Sequence, residues 1–89
     1  MVLTAPALSR RLTHLGYAVT PDQTRPGLRV RGGTTPGSVD VGLQYDKAGD
    51  RIYMTAGVAR TLASLGYSIQ TSMDADAVVL TVRYPRAGE

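Results

Sequence analysis

The chain carries one histidine, no cysteine, a single lysine and nine arginines, and these residues bound the chemistry open to it. General acid–base and nucleophilic catalysis need a poised proton carrier beside the reacting group. The only histidine, His14, falls on a helical segment beside Arg10, with no acid one turn away on its face. With a cation beside it and no acid to orient it as a base, its neighbours support a solvated surface histidine. Without cysteine there is no disulfide, thiolate nucleophile or cysteine-based zinc site, which fits a reducing, cytoplasmic setting.

The closely spaced carboxylates are Asp46 with Asp50 and Asp74 with Asp76. Both pairs fall where the sequence predicts turns, and aspartate is favoured there by hydrogen bonds to its own backbone. Neither pair fits a calcium loop. The single glutamate is Glu89, which leaves no pair of glutamates for glycoside hydrolysis. The glycine-rich stretch 32–38 contains Pro36 where a phosphate loop needs a backbone donor. It also lacks a lysine and leads into a strand rather than a helix. No catalytic residue, metal site or cofactor is assigned, and the chain is expected not to be an enzyme.

The arginines point to surfaces instead. Arg29 and Arg31 alternate with Leu28 and Val30, and Arg83 follows Val82, so all three should project from the open face of a sheet. Arg10, Arg11 and His14 form a second basic group on the first helix, and Arg60 occupies the second helix. These six arginines are the candidate binding residues. The open face should also carry Gly42, Gln44, Val79 and Thr81, a mixture that suits a protein interface. A protein partner or a homo-oligomer is therefore expected.

The alternative is a nucleic-acid-binding domain whose exposed arginines contact phosphates. Sheets that bind single strands present aromatic side chains outward, whereas parity places Tyr45 and Tyr84 on the buried side. Net charge is +3, well short of a dense basic patch. Arginine for lysine and the lack of asparagine suggest a GC-rich coding sequence, such as an actinobacterium or its phage. The size would suit a phage or mobile-element accessory protein. No run of 18 apolar residues exists to span a membrane.

These residues must be held by elements, and the sequence repeats its elements. Shifted by fifty positions, Arg10, Leu12, Leu15, Gly16 and Tyr17 fall on Arg60, Leu62, Leu65, Gly66 and Tyr67. Leu8 and Val19 fall on Val58 and Ile69. Two residues later in phase, residues 28–31 match residues 80–83. The repeat units are 4–31 and 54–83, within one domain spanning 1–89. Leu8, Leu12 and Leu15 make an apolar helical stripe that Val58, Leu62 and Leu65 repeat. Thr4 and Thr55 are the expected N-caps. Each helix should close on a glycine in the left-handed region, with the following tyrosine packed back on the helix.

After each cap the sequence predicts a strand (17–20 and 67–71), a polar loop (21–27 and 72–76) and a returning strand (28–31 and 77–84). Between the copies lies an inserted β segment, 38–54. Its first part alternates Val39, Val41, Leu43 and Tyr45 with polar or small residues. A turn at 46–50 is then expected to lead into a further strand at 51–54. The fold class is α+β: a two-layer sandwich, two helices on one face of a mainly antiparallel sheet, with pseudo-twofold symmetry. With 89 residues and neither Phe nor Trp, the core must be mostly Leu, Val and Ala, and oligomerisation is a natural source of further burial.

Overall fold

Helix α1 (Ala5–His14) begins where Thr4 caps it. Thr4 is extended and its Oγ1 accepts the Ala7 N–H at 3.3 Å. Pro6 sits in the first turn, where its missing N–H leaves no intrahelical bond unmade. The computed structural model describes residues 2–20, 26–45, 48–74 and 77–85. Beyond α1 these form β1 (Gly27–Gly32), β2 (Ser38–Gln44), α2 (Ala48–Ser64), β3 (Ser68–Asp74) and β4 (Ala77–Arg83). The strands make one sheet in the order β1-β2-β4-β3, antiparallel throughout.

Leu28, Val39, Val41, Leu43, Leu80 and Val82 alternate along three strands and share one buried core with Leu3, Leu8, Leu12, Val58 and Leu62. The core is entirely Leu and Val, and each such side chain contributes about 2 kcal/mol by leaving water. Tyr17, Tyr45 and Tyr67 pack at its margin. Both helices therefore lie on one sheet face, giving the expected two-layer α+β sandwich. Among the described residues no helix is long and apolar enough to cross a membrane.

Both helices end in the same cap. The Tyr17 N–H donates to Leu12 O at 3.1 Å and the Gly16 N–H to Thr13 O at 3.0 Å. Tyr67 repeats this on Leu62 O at 3.2 Å, and Gly66 on Ala63 O at 3.0 Å. This pair of bonds is the Schellman motif, and it needs the left-handed backbone of Gly16 (φ 94°) and Gly66 (φ 96°).

Three expected boundaries are corrected. Residues 51–54 are helical: α2 begins at Ala48, and Thr55 lies inside it, donating its hydroxyl to Arg51 O at 2.6 Å. Met54, Val58 and Leu62 recur every four residues toward the core, so burial favours a helix over a strand here. Asp50 in the first turn suits the positive end of the helix. The turn expected at Asp46 and Lys47 lies outside the described residues.

Residues 17–20 do not form a hairpin with β1. They make a single parallel bridge, Val19 to Leu28. Gly27 permits this approach, since a Cβ there would lie 2.9 Å from Ala18 O. Finally, residues 72–74 extend β3, where a loop was expected. The sheet order also places β1 at an edge and β4 in the centre. The matched segments 28–31 and 80–83 therefore occupy different positions in the sheet, while the helix ends match closely.

Candidate interaction surface on the open sheet face

With both helices on one side, no helix of the described residues covers the other face of the sheet, and the strand registers arrange its side chains in rows. One row runs Arg29, Gly42, Val79, Ser72 across β1, β2, β4 and β3. The next runs Arg31, Asp40, Thr81, Gln70, and a third brings Ser38, Arg83 and Ser68 side by side. Neighbours within a row have Cβ atoms about 5 Å apart.

The middle row is polar across the sheet. Asp40 stands opposite Arg31 and accepts a hydrogen bond from Thr81 Oγ1 at 3.2 Å. The aspartate thus places a negative charge among the arginines. In the row beside it, Gly42 leaves a notch between Arg29 and Val79. A Cβ built there would meet only Arg29, at 3.9–4.0 Å. Arg29, Val79, Thr81 and Arg83 are half-buried and Arg31 is exposed. The Arg83 guanidinium also donates to Tyr84 O at 3.3 Å.

The six candidate arginines do not form one patch. Arg29, Arg31 and Arg83 lie on the open face, whereas Arg10, Arg11 and Arg60 are exposed on the helical layer. On the open face, Arg83 is two strands and one row from Arg31, roughly 12 Å away, beyond the Debye length of about 8 Å at physiological salt. On the helical layer, Arg11 and His14 line a shallow concavity with Ala7 and Leu15. Among the described residues no three His, Asp or Glu side chains come together.

The tyrosines stay on the helical side. Tyr67 and Tyr84 stack with ring centroids 5.7 Å apart. Tyr45 is half-buried at the core margin, and its burial, then the Asp50 carboxylate, then Tyr17 push its phenol above the ordinary 10.0. Sequence parity had already assigned Gly42, Val79, Thr81 and the three arginines to the open face. It missed the role of Asp40, because alternation assigns a residue to a face, whereas strand register assigns it a neighbour.

No protein-family profile, no curated protein and no solved structure matches the chain.

Proposed function

We propose that the protein is a non-enzymatic interaction module that binds a protein partner through the open face of its sheet. The observation that supports this reading is the row Arg31, Asp40, Thr81 beside the Gly42 notch. A strip carrying both charges and a hydroxyl, next to a position without a side chain, offers hydrogen bonds, shape and arginine contacts together, as protein interfaces do. Asp40 sits where a phosphate backbone would meet the arginines, which weighs against nucleic acid as the partner.

The test is co-purification from the native host with variants on each face. Gly42→Arg and Val79→Glu fill or charge the notch and should remove the bound partner. Arg10→Ala with Arg60→Ala, on the helical layer, should retain it. Equal retention by all variants would overturn the open-face assignment. Loss of the bound material on nuclease treatment would assign the surface to nucleic acid instead.

A further inference from the structure

The sheet has two edges, β1 and β3, and they differ. The β1 edge carries Arg29 and Arg31 and is partly occupied by residues 18–20. Leu28 donates its N–H to Ala18 O at 2.8 Å and accepts the Thr20 N–H at 2.9 Å. This contact also fixes which way the backbone groups face across the whole sheet. In an antiparallel ladder a residue's N–H and C=O face the same neighbour and alternate along the strand. Leu28 faces away from β2, so its partner Leu43 faces β4 and exchanges bonds with Val78. Val78 then faces away from β3. Its partner Met73 must face away from β4, into the outer edge. Thr71 and Ile69, two and four residues earlier, face the same way.

Up to its final residue, Asp74, the β3 edge lacks the usual protection against pairing. Residues 68–73 read Ser-Ile-Gln-Thr-Ser-Met, without charge, proline or glycine. The register with β4 is unbroken from Ser68 to Asp74, so no bulge twists the edge aside. Apolar surface lies beside it. Met73 is 67% exposed and Ile52 is 71% exposed. Thr61 bonds to Tyr17 and so marks the side of α2 facing α1. Ile52 lies about 180° around the helix from Thr61, on the side toward the β3 edge.

We propose that β3 pairs antiparallel with β3 of a second copy about a twofold axis at Thr71, joining two sheets into one of eight strands. In this register Ile69 faces Met73 of the second copy, Thr71 faces its own equivalent, and each such pair exchanges two hydrogen bonds. Apolar side chains meet on the helical side, while Gln70 meets Ser72 on the open face. The strand is thus self-complementary, as an isologous contact requires. Exposed Ile52 and Met73 add apolar area to the strand contact, and a stable dimer needs about 600 Å² or more per protomer. The open faces of both copies then lie side by side and stay free, so the dimer stands or falls independently of the partner assignment.

The test is sedimentation of the full chain from about 1 to 500 µM, with variants at the axis. Wild type should shift from monomer to dimer as concentration rises. Thr71→Lys and Thr71→Glu each set like charges facing one another and should weaken the dimer about 100-fold. An equimolar mixture of the two should restore a dimer. Thr71→Pro removes an N–H that the protein's own ladder does not use, so it should stay folded and monomeric. Amide exchange at Ile69, Thr71 and Met73 should slow with increasing wild-type concentration. The proposal is overturned if wild type stays monomeric, if Thr71→Lys dimerises as wild type does, or if the mixture fails to pair.

Discussion

The Tyr17 hydroxyl lies 3.1 Å from Thr61 Oγ1, and this hydrogen bond ties the C-terminal cap of α1 to the last turn of α2. The equivalent tyrosine, Tyr67, stacks on Tyr84 instead. Two residues that the sequence presents as copies therefore do different work: one clamps the helices together and the other anchors β4 to the end of α2.

Tyr17→Phe should therefore destabilise the fold by about 1 kcal/mol, the usual net value of one hydrogen bond. Tyr67→Phe keeps its ring contact and should cost less. Urea unfolding of the two variants checks this. Equal losses would mean that the Tyr17–Thr61 bond contributes nothing.

The caps make a second comparison. An added Cβ at Gly16 or Gly66 would meet nothing within 4 Å, yet both have φ near +95°. Substitution by alanine thus isolates backbone strain from steric clash. Each variant should lose about 1–2 kcal/mol, and the double variant roughly the sum. A negligible loss at either position, read by thermal unfolding, would show that the helix end relaxes without the left-handed turn.

Tyr45 supplies a pH dependence. Its folded-state pKa is raised above 10.0, first by burial and then by Asp50. The neutral phenol is thus favoured by the fold. The stability it contributes is fully present below the unfolded value near 10 and is lost as pH rises through the folded value. Asp50→Asn should lower the Tyr45 titration toward 10 without reaching it, because burial remains. Ultraviolet titration of the phenols, with Tyr45→Phe to assign the signal, measures the shift.

On the open face, Asp40 stands opposite Arg31 in the strand register. Asp40→Asn should increase retention on a polyanion column at low salt more than Asp50→Asn does, although both add the same net charge. Identical retention of the two variants would show that Asp40 does not screen the arginines.

The sequence exposed the fold class through two kinds of local signal. Period-two alternation placed Val39, Val41 and Leu43 on one face and Asp40 and Gly42 on the other, because successive strand residues point to opposite sides whatever the partner strand. The Leu-x-x-Leu-Gly-Tyr endings specified the caps, because a Schellman turn is closed by bonds within six residues. Residues 51–54 misled because Ile52, Tyr53 and Met54 are consecutive apolar residues and the first two have strong strand preference. Only Met54 of the three packs on the core, while Ile52 and Tyr53 remain 71% and 78% exposed.

By itself, then, the sequence determined which strand residues face the core, how both helices end, and which arginines stand on the open face; Leu15 and Leu65, the last members of the two helical stripes, are instead 42% and 39% exposed. Each of these follows from chain geometry over a few residues. Tertiary structure alone decided the strand order β1-β2-β4-β3, the neighbour of each open-face side chain and the difference between the two edges. These depend on contacts between segments far apart in the chain. The pairing of Arg31 with Asp40 and the outward-facing backbone of Thr71 follow from register, which local periodicity does not encode.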